Sequence, residues 1–298
     1  MKNRGRLVYT FCAFADLHID CEGFYSKSAE RWTQALRFAA EKNADFIVSA
    51  GDNVTNAYGS KEEWELFNSL IAQSDFHNPV WSANGNHDLR CGKERGTEAF
   101  MQATALDDVP YFYRTEPKSG DLFIFMAQES EYNSAASDQF SDAQILWLET
   151  LLDKYCGKVK VFLIEHSPIK GFGAGDRMDK PYYRALLDGR FKNVSRLRSI
   201  LKKYKNLIFL SGHTHEDFSM GYNFSNENGG ACNMIHVPAL AGSTLPNPTD
   251  NGLDYNGGEG FCSQGYFVEV FENAVIFHGA EIPDGRLCPE YEYIISTV

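Results

Sequence analysis

The sequence predicts an α/β fold, and two observations carry the prediction. Short apolar runs alternate with stretches of helical periodicity through the first third of the chain. Each of those runs then breaks off into aspartate, glycine or asparagine. A β-α-β-α-β order of this kind points to a largely parallel layer covered by helices. Ligands in such layers bind beyond the carboxyl ends of the strands.

Residues 7–15 form the first predicted strand. Lys2, Arg4 and Arg6 before it, and Ala13-Phe14-Ala15 at its end, also have the pattern of a short secretion signal. Cleavage after Ala15 would delete the strand and leave Asp16 at a frayed terminus, so a core strand is the expectation. Residues 28–42 read as a helix with Trp32, Leu36 and Ala39 on one face. A strand follows over 45–50, then a helix over 61–72 with Trp64, Phe67 and Ile71 inward, then a short strand over 79–83.

The second half opens with strands over 111–115 and 121–127 and a polar loop over 128–140. Ser141 is placed to cap a helix over 142–155 that buries Ile145, Leu148 and Leu152. A strand over 159–164, a helix over 194–204 and a strand over 207–211 complete the alternation. After His215 only strands are predicted, over 218–222, 234–237, 265–271 and 274–278. The stretch 239–260 between them is rich in Gly, Asn, Asp and Pro. A loop of that length inside a compact domain is functional or mobile. No linker or repeat interrupts the chain, so residues 1–298 are expected to form one domain.

Composition bounds the function. Hydrophobic residues make up 43% and charged residues 23%, as in ordinary globular proteins. No apolar run reaches the roughly 18 to 20 residues that span a bilayer, so no membrane partner is expected. Lys and Arg number 28 against 40 Asp and Glu, a net charge of −12. That argues against a broad nucleic-acid footprint, which needs a basic face. It leaves room for one phosphate ester, because bound cations reverse the local sign. The seven cysteines are odd in number, scattered and without C-x-x-C spacing. They predict free thiols in a reducing compartment, the cytoplasm.

Five short segments hold most of the histidines: Asp16-Leu17-His18, Gly51-Asp52-Asn53, Gly85-Asn86-His87-Asp88, His166-Ser167-Pro168 and Gly212-His213-Thr214-His215. Each follows a predicted strand. Asp16 and His18 are two apart, so at a strand end they point the same way. A carboxylate and an imidazole suit Zn, Fe or Mn. Asp52 has two oxygens and can bridge two ions. The Asn86 carbonyl oxygen can ligate while its amide faces a substrate oxygen. Any one of these segments is also what a surface turn would show; their order is what makes them specific.

That order, from Asp16 to His215, resembles the calcineurin-like metallophosphoesterase family. The stretch from Ser141 to Leu148 also resembles the helix that the family carries before its fourth segment. The resemblance implies a four-layer αββα sandwich: two mixed sheets face to face, with helices on both outer faces. It implies two transition-metal ions (Mn, Fe or Zn). Asp16, His18, Asp52 and His215 would hold the first; Asp52, Asn86, His166 and His213 would hold the second. A metal-bridging hydroxide would attack phosphorus, Asn86 would steady the phosphoryl group, and His87 would protonate the leaving alkoxide. Asp88 could orient His87. Glu165 departs from the pattern, since the family often has a small residue there.

Arg90 and Arg177 are candidate phosphate contacts, with surface ion pairs as the competing reading. The glycine-rich loop 171–179 could fold over the site. Tyr132, Phe172, Tyr182 and Tyr183 could line it or pack in the core. His77 and His278 read as structural, and His236 remains open. The substrate expected is a small phosphoester. A phosphodiester is slightly preferred, because the Gly-Asn-His-Asp form resembles the cyclic-nucleotide and glycerophosphodiester branches. A phosphomonoester is the close alternative. Residues 51–55 lack the arginine that continues this segment in Ser/Thr phosphatases. A binding module on the same scaffold would usually have lost some of these residues, and here every position is filled.

Overall fold

A computed structural model describes residues 4–23, 25–55, 61–130, 139–176, 186–204, 206–226, 232–242 and 262–297 of the chain. In chain order its strands are β1 (Leu7–Phe14), β2 (Phe46–Ser49), β3 (Val80–Ser82), β4 (Phe112–Thr115), β5 (Leu122–Phe125), β6 (Val161–Ile164), β7 (Leu207–Ser211), β8 (Phe224–Ser225), β9 (Cys232–His236), β10 (Gln264–Phe271), β11 (Ala274–Glu281) and β12 (Arg286–Ser296). Its α-helices are α1 (Ser28–Glu41), α2 (Lys61–Gln73), α3 (Lys93–Thr104), α4 (Asp142–Tyr155) and α5 (Lys192–Lys203). One six-stranded sheet has the order β12-β11-β10-β1-β2-β3, the other β4-β5-β6-β7-β9-β8. Both are mixed. β1, β2 and β3 are parallel, as are β5, β6, β7 and β9, while β1 meets β10 antiparallel.

The period of two along each strand sorts side chains into layers. From β1, Phe11 and Ala13 join Phe46, Phe123, Phe162 and Ile208 between the sheets. Cys12 and Phe14 point the other way, onto Trp32 of α1 and the Trp64, Phe67 and Phe100 side of α2 and α3. From β5, Leu122 and Ile124 meet Leu148 of α4 and Leu197 of α5. The arrangement is the expected four-layer αββα sandwich. Its central layer is aromatic. Phe11 stacks on Phe46 at 5.3 Å and meets Phe123 edge-on at 5.4 Å, and Phe123 stacks on Phe162 at 4.5 Å.

Local chemistry explains the element ends. The Ser141 hydroxyl accepts the Gln144 N–H at 3.2 Å and caps α4, as predicted. The segment 218–222, expected as a strand, is instead a 3-10 turn over Phe218–Met220. Asp217 accepts the Ser219 N–H at 2.8 Å and closes the chain into that turn. Helix α3 and strand β12 were not expected. Gly96 lowers the helix propensity of 93–104, but a Cβ there would lie 2.5 Å from the Asp88 carbonyl. Glycine therefore lets α3 press against the turn that carries Asp88. Phe172 belongs to the packing under α5, with the Arg198 guanidinium over its ring. No helix among the described residues is long and apolar enough to cross a membrane.

Phe123 is fully buried at the centre of the aromatic layer. Phe123→Ala should destabilise the fold by about 3–5 kcal/mol, read as a lower midpoint in urea unfolding.

Candidate metal centre

The five predicted segments converge where parallel strands of both sheets end. β1 delivers Asp16 and His18, β2 delivers Asp52, and β3 runs into the 3-10 turn His87–Leu89. From the facing sheet, β6 delivers His166 and β7 delivers His213 and His215. Strand-like pairing continues past the sheet. Asp16 N–H is donated to the Gly51 carbonyl and His18 N–H to the Asp52 carbonyl, both at 3.0 Å. Asp16, His18, Asp52, His213 and His215 all take positive φ, between 47° and 75°. Such backbone is strained for residues with a Cβ and marks sites where the surroundings dictate conformation.

Three groups of side chains approach closely enough to share an ion: Asp16, His18 and His215; His18, Asp52 and His87; and Asp52, His166 and His213. Donor atoms about 2.0–2.1 Å from one tetrahedral ion stand about 3.3 Å apart. Here His18 Nε2 lies 3.0 Å from His215 Nε2, and His215 Nε2 lies 3.2 Å from Asp16 Oδ1. On the other side His166 Nε2 lies 3.1 Å from Asp52 Oδ2 and 3.3 Å from His213 Nδ1. Asp16 Oδ1 is buried without a hydrogen-bond donor among the described residues. The donor set is imidazole and carboxylate, which fits a first-row transition ion.

Main-chain carbonyls set the rings. His166 Nδ1 donates to Ala50 at 2.8 Å, His215 Nδ1 to Gly242 at 3.2 Å and His87 Nδ1 to Thr55 at 3.3 Å. A carbonyl only accepts, so each proton sits on Nδ1 and Nε2 faces the centre. His87 is further held by its own N–H, donated to Asp52 Oδ1 at 2.7 Å. Gly85 lies against that same carboxylate, and a Cβ there would collide with Asp52 Oδ1.

Charges in the centre compensate one another. Burial pushes the Asp16 carboxyl up, but His215 and His166 outweigh it and hold it below the usual range. Asp52 is likewise held down against burial, by His166 and His87. Burial works against the His166 cation, yet Asp52 drives that ring up to about 10. His215 is raised by Asp16 against burial. Burial, then the charge of His166, lowers His213 to about 4. Burial and His87 keep His18 low, and burial keeps His87 low with help from Arg90.

Asn86 is buried at the start of the 3-10 turn. Asp88 Oδ1 accepts from Val54 N–H at 3.0 Å, and Oδ2 from Gly85 N–H at 2.8 Å and the Asn53 amide at 3.0 Å. It thereby clamps the Asp52 loop to the Asn86 loop. Burial, then the charge of Asp52, pushes it up to about 7 against those donors. Arg90 is exposed beside His87. Arg177, Tyr132, Tyr182 and Tyr183 lie outside the described residues, as do 177–179 of the loop 171–179 and 243–260 of the loop 239–260. Glu165 is fully buried, and burial pushes it up to about 8. His278 bridges Glu269 and Glu292 on the first sheet, away from the centre.

Two neighbours of the centre carried no sequence signal. Tyr25 stacks on His18, with ring centroids 4.4 Å apart at 10°. A tyrosine in an irregular loop looks the same whatever it touches. Asn53 joins Ser49, Ala83 and Asp88 beneath Asp52; only its place beside Asp52 hinted at a role.

The model of the calcineurin-like phosphoesterase family matches residues 9–217. The chain belongs to that family. A protein of Arcobacter nitrofigilis described as "Probable glycerophosphodiester phosphodiesterase" is 27% identical over 172 residues, 57% of this chain and 56% of that protein. The chain thus spans little more than half the length of that curated relative. Among solved structures, a dimetal phosphatase from Danio rerio is 13% identical with a TM-score of 0.66, covering 98% of this chain and 100% of the other. A purple acid phosphatase from yellow lupin seeds is 15% identical with a TM-score of 0.64, covering 98% and 54%. GAP50, described as the anchor in the inner membrane complex of Plasmodium, is 14% identical with a TM-score of 0.60, covering 98% and 89%. At these identities the structures establish the calcineurin-like fold and nothing finer.

Asp88→Asn replaces one acceptor oxygen with an amide NH₂, which then faces N–H donors. The change should cost about 1–3 kcal/mol of stability, read as a lower thermal midpoint than that of wild type.

Proposed function

We propose that the chain is a dinuclear metal-dependent phosphoesterase that acts on small phosphodiesters. One observation carries the reading: Asp52 stands between two histidine groups. Its Oδ2 lies 3.1 Å from His166 Nε2 and 3.8 Å from His18 Nε2. Asp16, His18, Asp52 and His215 would hold one ion, and Asp52, Asn86, His166 and His213 the other. Bound cations would acidify a water and neutralise phosphoryl charge. They would also reverse the sign of a centre whose own ionised groups include two carboxylates, in a chain of net charge −12.

The chain's own residues do the rest. The Asn86 amide steadies a phosphoryl oxygen. His87 commits Nδ1–H to the Thr55 carbonyl, so it acts as general acid in its imidazolium form, giving the second proton, on Nε2, to the leaving alkoxide and being left as the neutral Nδ1–H ring. Asp88 positions both by tying their loop to that of Asp52. Arg90 and Arg177 are the phosphate contacts of this reading. The diester preference is supported by the name of the Arcobacter relative. Residues 1–298 acting as one unit belongs to the same reading. So does a cytoplasmic location, supported by the free thiols of Cys12, Cys21, Cys156, Cys232, Cys262 and Cys288.

The test compares bis- and mono-nitrophenyl phosphate turnover in added Mn²⁺, with metal content measured on the same samples. Wild type should carry two ions and favour the diester; the reverse preference would make it a phosphomonoesterase. An ion-free, inactive protein would leave a binding module on this scaffold. His87→Ala should keep both ions and lose about 10²–10⁴-fold in kcat on an unactivated alkyl ester. Loss of an ion in that variant would instead make His87 a ligand.

A further inference from the structure

His236 ends β9, is completely buried and belongs to none of the five segments. Its ring has a partner at each nitrogen. Nε2 lies 2.8 Å from the Thr214 hydroxyl, and Nδ1 lies 3.3 Å from the Asn223 amide nitrogen. A hydroxyl both donates and accepts, so Thr214 pairs with Nε2 in either tautomer of the ring. The His236 N–H is donated in turn to the Asn223 carbonyl at 2.9 Å. One asparagine therefore holds His236 both by its main chain and by its ring. Thr214 is the residue between His213 and His215.

From His236 the chain runs along the edge of the centre. Val237 N–H is donated to Ser211, Leu240 N–H to Ala15 at 2.9 Å and Ala241 N–H to Asp16 at 3.0 Å. At the far end the Gly242 carbonyl accepts Nδ1–H of His215. Residues 236–242 thus grip the His213-Thr214-His215 turn twice, at Thr214 through a side chain and at His215 through the main chain. They also bind the backbone of Asp16, which supplies another member of the same group.

The turn needs such a grip. His213 and His215 have φ of 75° and 53°, one on each side of Thr214. Two left-handed residues this close persist only when their surroundings over-determine them. We propose that residues 236–242 act as a strap on this turn, with His236 and Thr214 as positioning residues for the ion held by Asp16, His18 and His215.

This inference rests on the dinuclear reading, and one experiment separates the two. Mn²⁺ is titrated into metal-free full-length protein against a competing fluorescent chelator, for wild type, Thr214→Val, Thr214→Ser and His236→Gln. Melting of each metal-free protein is followed alongside. Thr214→Val keeps the shape and removes only the hydroxyl, so it carries the test even if His236→Gln fails to fold. Thr214→Val should weaken one of the two ions by about 10–100-fold. Thr214→Ser should bind both close to wild type. With Mn²⁺ saturating, KM should be unchanged in Thr214→Val. Two ions bound by Thr214→Val as tightly as by wild type would overturn the strap and leave the dinuclear reading standing. Equal weakening in Thr214→Ser would also overturn it, because the hydroxyl would then not matter. Fewer than two ions on wild type would overturn the dinuclear reading and the strap with it.

Discussion

Asp52 is the constraint on which the rest of the centre depends. Its carboxylate is almost fully buried where the two sheets meet. One oxygen accepts the His87 N–H, and the other faces His166 across the gap. A buried carboxylate is tolerable only when paired and hydrogen-bonded. Much of the local architecture meets that demand. Gly85 clears space beside it, Asn53 and Asp88 fix its loop, and His166 from the facing sheet, with His87 from its own, supplies the compensating charge.

Most of the centre stands on backbone rather than on side chains. Three imidazoles are oriented by carbonyls, and the loops after β1 and β2 pair as though the strands continued. Main-chain groups are carried by rigid strands and have no rotamers to sample. Donor atoms from two different sheets can therefore be held within a few tenths of an ångström of the spacing an ion requires. The aromatic layer below serves the same end. Phe11, Phe46, Phe123 and Phe162 fix the separation of β1 and β2 from β5 and β6. That separation sets the distance between Asp52 and His166.

The fold itself supports more than one use. A dimetal phosphatase, a purple acid phosphatase and a protein described as an anchor share it with this chain. What distinguishes a catalyst on this scaffold is the set of side chains at the strand ends. In this chain Asp16, His18, Asp52, His87, His166, His213 and His215 stand together there. Asp88 shows how the set is supported: it reads as a partner for His87, yet its hydrogen bonds tie two loops together.

The sequence by itself determined the α/β class, the strands that end in the five segments, and the aspartates and histidines that meet at their ends. Each of those rests on local pattern: period, capping and residue type at a strand end. α4 was legible because Ser141 caps it and its apolar spacing is regular. α3 was not, because Gly96 reads as a helix breaker until the Asp88 carbonyl is seen against it. The strand expected over 218–222 failed for a related reason: Asp217 redirects the chain by a side-chain hydrogen bond that apolar spacing does not record. Only the tertiary structure decided that Tyr25 lies on His18, that Asp88 is a clamp, and that His236 grips Thr214. Those contacts join residues far apart in the chain. Long-range proximity comes from how the sheets pack, and no local spacing encodes it.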